Sequence, residues 1–184
     1  AILISGRGSN MRALVEAAQA PDYPAEIAVV LSNRPDAAGI AWAVENGLKA
    51  VVVDHKGFPT RAEFERALQT ALDAHEIELI ALAGFMRLMT PEFVTHWHDR
   101  MINIHPSLLP SFKGLHTHEQ AIAAGVKIAG CTVHFVRAEM DTGPIIAQAA
   151  IPVLQSDTAE TLAERILKVE HQVYPAALRL VAAG

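Results

Sequence analysis

Four short runs, AILIS (Ala1–Ser5), EIAVVL (Glu26–Leu31), AVVV (Ala50–Val53) and LIALA (Leu79–Ala83), are apolar almost throughout and rich in β-branched residues. None alternates polar with apolar positions, so a strand built from any of them has to be covered on both faces. Between them, Met11–Gln19, Asp36–Asn46 and Arg61–His75 have helical length and are dominated by Ala, Leu, Glu and Arg. Strand and helix in alternation demand an open α/β sheet, mostly parallel, with right-handed crossovers. MINIH (Met101–His105) continues the series as a fifth strand. Beyond it the rhythm changes. A Pro-containing loop leads to a short helix over His118–Ala124, then to two extended runs, Ile128–Val136 and Ile145–Val153, joined by RAEMDTG. A closing helix is expected over Thr158–Ala182.

A chain of 184 residues can bury a sizeable core. No repeat, low-complexity tract or linker divides it, so one domain over 1–184 is expected. A content of 51% hydrophobic and 19% charged residues excludes a disordered chain. The net charge of -5 gives no general attraction to nucleic acid or to an anionic membrane, so an anionic ligand has to be met by local donors. The single Cys131 cannot form an internal disulfide, which suits a cytoplasmic setting. No run approaches the roughly 18 apolar residues of a membrane span, and no signal peptide is visible. The chain opens without a methionine, directly on a strand, so native residues are expected to precede Ala1.

The segment SGRGSNM (Ser5–Met11) follows the first strand and opens the first helix. Glycines there let backbone N–H groups approach an anion, and a helix N-terminus favours negative charge. Ser9 or Asn10 is a candidate helix cap. The dinucleotide fingerprint fails, because Met11 occupies the third glycine's place and the second strand ends in Leu31-Ser32-Asn33 without an acid for a ribose. No Gly-Lys-Ser/Thr follows, which excludes a Walker loop. A single phosphate monoester fits best. A tight strand-to-helix turn with a capped helix is the alternative, and the motif alone does not choose between them.

At the end of the fifth strand, Asn103 and His105 lie at i and i+2 and so project from one face. Pro106 cannot donate to a ladder, which makes His105 the last strand residue. Ligands of open α/β sheets bind beyond the carboxyl ends of the strands, the rim that also holds the Gly6–Asn10 turn. Either residue alone reads as a rim or turn side chain. Together, an amide and a protonated imidazole can both donate to an oxygen that becomes negative during attack on a carbonyl. Such a histidine needs a nearby carboxylate to favour its charged form. Asp141, in MDTGP, is the candidate. A turn acid is ordinarily solvated, but returned to this rim it completes an acyl-transfer constellation without a protein nucleophile.

The blocks ISGRGSN, LAGFMRLM, NIHPSLLPSFKGLHTHEQAI, VHFVRAEMDTGPIIAQAAIPV and EHQVYPAAL follow one another from Ile2 to about Leu178. In that order they resemble the glycinamide ribonucleotide formyltransferases of purine biosynthesis. The Asn-x-His-Pro-Ser block also resembles other enzymes that use 10-formyltetrahydrofolate, the methionyl-tRNA formyltransferases and formyltetrahydrofolate deformylases. The resemblance implies the formyltransferase fold, an open, mostly parallel twisted sheet with a Rossmann-like N-terminal half and helices on both faces. Residues 1–100 would form the phosphate-binding half and 101–184 the catalytic and folate-binding half. It implies formyl transfer from 10-formyltetrahydrofolate, as co-substrate and without a metal, to the amine of glycinamide ribonucleotide.

Matched position by position, the resemblance makes Asn103, His105 and Asp141 the catalytic trio, and Gly8, Ser9 and Asn10 the phosphate loop. Glu170 would hold the glycinamide end. Arg61, the segment Met86, Arg87, Leu88 and Met89, Asn103 itself, and the loop Arg137, Ala138, Glu139, Met140 and Asp141 would contact the folate. One departure is visible. Relatives often carry a polar or basic residue three positions before that glutamate, where Leu167 stands here with Lys168 next to it. Relatives also tend to continue past Gly184.

His96 and His98, and His116 and His118, have spacings that can serve metals. No acidic or cysteine ligand cluster accompanies either pair, so His96 and His98 read as surface or helix-end residues. His116, His118 and His134 read as neighbours of the site rather than ligands, and Trp42 and Trp97 as packing residues. A tRNA formyltransferase would need a basic C-terminal domain, and a deformylase a regulatory domain ahead of the first strand. A non-catalytic phosphate- or folate-binding module would keep Ser9, Asn10 and the Met86–Met89 slot but has no use for the trio. The expected partners are the two small-molecule substrates, with no nucleic acid or membrane, on a monomer or weak homodimer.

Overall fold

The computed structural model describes all residues from Ala1 to Gly184. Strands β1 (Ile2–Ile4), β2 (Val30–Ser32), β3 (Ala50–Val52), β4 (Ile80–Leu82) and β5 (Met101–His105) run parallel, and β6 (Ile128–Phe135) and β7 (Ile145–Pro152) are added antiparallel. They form one seven-stranded sheet in the order β3-β2-β1-β4-β5-β6-β7. The strand order reverses between β1 and β4, the crevice position at which open α/β sheets take ligands. Helices α1 (Ser9–Ala18), α2 (Ala38–Glu45), α3 (Arg61–Asp73), α4 (Pro91–His96), α5 (Thr117–Ala124) and α6 (Ala159–Ala183) complete the chain.

Strand alternation divides the core in two, as runs without polar alternation require. Ile2, Ile4, Val30, Ala81, Ile102 and Ile104 face α1 and α6, against Met11, Leu14, Ile166 and Tyr174. Leu3, Leu31, Ile80, Leu82 and Met101 face the other way, against Phe64, Leu68 and Leu72 of α3 and Phe93 and Trp97 of α4. Helix α6 begins at a capping box in which Thr158 and Thr161 bond reciprocally. At its centre the Tyr174 hydroxyl, fully buried, donates to the Leu82 carbonyl at 2.8 Å, with the Ile102 carbonyl 3.3 Å away. That bond pins α6 to the β4–β5 seam from which the site rises.

The structure departs from the sequence expectation in four places. The second strand begins at Val30 rather than Glu26, because β1 offers it only the pairs Ile2↔Val30, Leu3↔Leu31 and Ile4↔Ser32. Strand β3 is an edge strand, with Val52 39% exposed, not one buried on both faces. Neither Ser9 nor Asn10 caps α1: Gly8 does, at φ 72°, and no side chain bonds the free N–H groups. A left-handed turn there favours glycine, and it leaves the helix N-terminus open to a ligand. Helix α4 has no counterpart among the expected elements, although Thr90 caps it and Pro91 opens it. No helix is long and apolar enough to cross a membrane.

Candidate active site

Asn103 and His105 share the β5 face that also carries Met101, at the carboxyl end of the strand. After Pro106 the chain folds back over His105, and Thr132 of β6 fixes this loop. The Thr132 hydroxyl donates to the Ser107 carbonyl at 2.7 Å and accepts from the Leu109 N–H at 3.0 Å. The loop brings the Phe112 carbonyl to 2.9 Å from His105 Nε2 and the Gly114 N–H to 2.9 Å from Asp141 Oδ2. An acceptor on Nε2 requires a proton there, which leaves Nδ1 as the imidazole nitrogen turned to the site. Asp141 Oδ2 lies 3.6 Å from that Nδ1. The gap is longer than a hydrogen bond, and both side chains are nearly buried.

Asp141 therefore does return to the rim. Phe112, His116 and Asp141 all adopt positive φ, at 53°, 56° and 55°. Non-glycine residues resist that region, and such backbone gathers at sites that need exact side-chain placement. The strain here sits in the two loops that hold His105 and Asp141 against each other.

A fourth side chain belongs to the group. His134 on β6 pairs directly with Asn103 across the antiparallel ladder, and it is 2% exposed. Its Nδ1 is 3.0 Å from the Phe135 carbonyl, so that nitrogen carries the proton and Nε2 is left as an acceptor. Nε2 lies 3.3 Å from Asn103 Nδ2, which fixes the amide with its nitrogen toward His134. Burial lowers the pKa of His134, against smaller opposing effects of the Phe135 carbonyl and Asp141. The ring is thus a neutral acceptor, and Asn103 keeps one N–H free for a ligand.

The Gly8–Asn10 turn opens on the same rim, after β1. Asn10 faces inward and donates from Nδ2 to Glu170 Oε2 at 2.7 Å, which is why it does not cap its helix. Its Oδ1 is buried without a partner. Glu170, 6% exposed, has a raised pKa because burial outweighs the Asn10 bond. A carboxyl whose folded pKa lies above its unfolded value holds its proton longer in the native state. Its contribution to stability is greatest below the ordinary glutamate value of 4.5 and is lost as pH rises through the folded pKa. Glu170→Gln should therefore melt like the wild type under acid and at a higher temperature at neutral pH. Melting curves across pH check this, and a variant less stable at neutral pH would refute it.

The segment carrying Met86, Arg87, Leu88 and Met89 lies between β4 and α4 and is held at both ends. At one end the Ser5 hydroxyl accepts from the Met86 N–H at 2.8 Å and donates to Asn33 Oδ1 at 2.5 Å. At the other, Glu65 of α3, 5% exposed, accepts from the Thr90 N–H at 2.7 Å and from the Thr90 hydroxyl. Glu65 stands one helical turn after Arg61, so it ties the start of α3 to this segment. Met86, Leu88, Leu115 and Met140 remain half exposed or more, an apolar margin around the trio. Arg137 is not drawn into that margin. Its guanidinium pairs with Asp99 at 2.5 Å, near the amino end of β5. His134 lies beside the site as the sequence suggests, but its bond to Asn103 has no signal there, and neither do the roles of Ser5 and Glu65.

An open α/β sheet with paired donors at a strand end, a loop carboxylate beside them and an uncapped helix N-terminus on the same rim defines a group-transfer enzyme. The chain belongs to the formyl transferase family, whose model matches residues 1–178. It is 39% identical over 183 residues to the phosphoribosylglycinamide formyltransferase of Escherichia coli (strain K12), with 100% of this chain and 86% of that protein covered. It is 48% identical over 184 residues to the human trifunctional purine biosynthetic protein adenosine-3, of whose length it spans only 18%. Among solved structures, it superposes on phosphoribosylglycinamide formyltransferase from Brucella melitensis with a TM-score of 0.95 and 54% identity. That match covers 100% of this chain and 94% of the other.

Proposed function

We propose that this chain transfers the formyl group of 10-formyltetrahydrofolate to the primary amine of glycinamide ribonucleotide, in purine biosynthesis. The products are N-formylglycinamide ribonucleotide and tetrahydrofolate. The observation that carries the reading is the convergence of Asn103, His105 and Asp141 within one rim, His105 Nδ1 and Asp141 Oδ2 being 3.6 Å apart. The formyltransferase relatives support it. The folate supplies an activated formyl carbon, and the half-exposed Met86, Leu88 and Met140 offer its ring apolar contact.

In this reading a bond forms between the amine nitrogen and the formyl carbon, and the bond from that carbon to N10 breaks. Asn103 donates its free N–H to the oxygen as it becomes negative, with His134 holding the amide's orientation. His105 presents Nδ1–H to the same region while Nε2–H stays bonded to the Phe112 carbonyl. Asp141 Oδ2, 3.6 Å from Nδ1, is the carboxylate that faces this ring. Asp141 and His105 then pass the proton lost by the amine toward the leaving N10. No protein nucleophile takes part. Gly8, Ser9 and Asn10 receive the phosphate at the open end of α1, and Glu170 with Asn10 meets the glycinamide end.

The test is direct. The protein is given 10-formyltetrahydrofolate with and without glycinamide ribonucleotide, and release of tetrahydrofolate is followed. Release only with the amine is expected. Release without it would make the protein a deformylase, and no release in either case would leave a binding module.

A further inference from the structure

Helices α1 and α6 pack side by side and leave a groove lined by Ser9, Arg12, Glu16, His171 and Pro175. Two nitrogens on its walls, Arg12 Nε and His171 Nε2, are buried without a hydrogen-bond partner. An orphaned buried donor such as Arg12 Nε is rare in folded proteins and marks a missing acceptor. Arg12 takes part in none of the molecule's ion pairs. Its guanidinium carbon sits 5.2 Å from the centroid of Trp42, a stack that sets the plane of the group and leaves its edges free.

Ser9 and Arg12 are three residues apart and share a helix face. Side chains of a helix lean toward its N-terminus, so Arg12 leans over the Gly8–Asn10 turn. The opposite wall supplies no lysine or arginine. Leu167 and His171 form one stripe of α6, and exposed Lys168 points about 200° around the helix from Glu170. Burial lowers the pKa of His171 despite the opposing pull of Glu16, so its ring brings no positive charge to the groove at neutral pH. Glu16 lies one turn further from the helix N-terminus and pairs with neither residue.

We propose that Arg12 is a ligand of the substrate's phosphate monoester, its guanidinium fork closing over the anion seated at the Gly8–Asn10 turn. The proposal rests on the reading of that turn as the phosphate site, and it makes Arg12 a determinant of specificity for a phosphorylated amine. Arginine suits this role because two parallel N–H donors match two phosphate oxygens.

The experiment compares steady-state kinetics of the wild type and Arg12→Met on glycinamide ribonucleotide and on the same riboside without its phosphate. Methionine keeps an apolar stem against Trp42 and removes the charge. KM for the nucleotide is expected to rise about 10- to 100-fold, the range for a charged hydrogen bond. Saturating kcat, KM for 10-formyltetrahydrofolate and KM for the riboside should not change. Equal shifts on the two amines, or none on either, overturn the proposal. Arg12→Lys, which keeps the charge and loses the fork, is expected to fall between wild type and Arg12→Met. A lysine variant weaker than the methionine one overturns it too. A wild type that formylates neither amine overturns the formyl-transfer reading alone. Arg12 is then judged by titration with ribose 5-phosphate, which must bind more weakly to Arg12→Met than to wild type.

Discussion

Asp141→Asn is expected to lower kcat by at least about a hundredfold, the scale of a lost acid–base partner, while KM for both substrates changes little. The substitution preserves volume, so its effect is electrostatic. In the wild type, Oδ2 accepts the Gly114 N–H at 2.9 Å and faces His105 Nδ1 at 3.6 Å. The Gly114 bond obliges the asparagine to place its oxygen there and its NH2 where Oδ1 stood, 3.9 Å from His134 Nε2. The variant thus loses the charge opposite His105. It also gains a donor that competes with Asn103 for the lone pair of His134, loosening the amide that binds the formyl oxygen. Both losses bear on the transition state more than on bound substrate, which is why kcat moves and KM does not. Kinetics on a variant with unchanged melting temperature decide the matter. Wild-type turnover would remove Asp141 from the proposed mechanism.

The parts of this architecture that local pattern controls could be read in the chain, and the parts set by long-range pairing could not. The unalternating runs at Ile2 and Ile80 announce strands covered twice, and period-2 alternation places Asn103 and His105 on one face. His134 is different. Its place opposite Asn103 comes from the β5–β6 register, and nothing within FVRAE or GCTVH specifies which residue of β5 it meets. Glu65 reads as a charged position on an amphipathic helix, and only the arrival of Thr90 from a distant loop explains its burial. The cap at Gly8 departs from local preference for a tertiary reason. Serine and asparagine are favoured caps, but tertiary demand from Glu170 took Asn10 into the interior. Helix α4 had a Thr-Pro-Glu start signal, yet its six residues are too few to show a helical period.

Gly143→Ala should reduce kcat as severely as Asp141→Asn, without altering any polar side chain of the site. A Cβ on Gly143 would fall 1.6 Å from the Phe135 carbonyl oxygen and 2.7 Å from its carbon, both backbone atoms. Neither can swing aside. Phe135 is tied to the far side of the same turn by its N–H, bonded to the Pro144 carbonyl at 2.9 Å. The ladder irregularity at Val133/His134 lies immediately before it. The hairpin mouth has to open to admit the methyl group, and the residues it carries are Asp141, two positions before Gly143, and His134, one before Phe135. Forced overpacking of this kind costs about 1–3 kcal/mol, so the variant is expected to fold and to melt at a lower temperature. Its kcat should fall about a hundredfold or more, because a displacement of about 1 Å in a catalytic group has that effect. Gly57→Ala, where a Cβ would meet no atom within 4 Å, serves as the matched control and should keep wild-type kcat and stability. A Gly143→Ala protein as active as the control would mean that the hairpin can yield without moving Asp141. The carboxylate would then be placed by the Gly114 bond alone rather than by both ends of its loop.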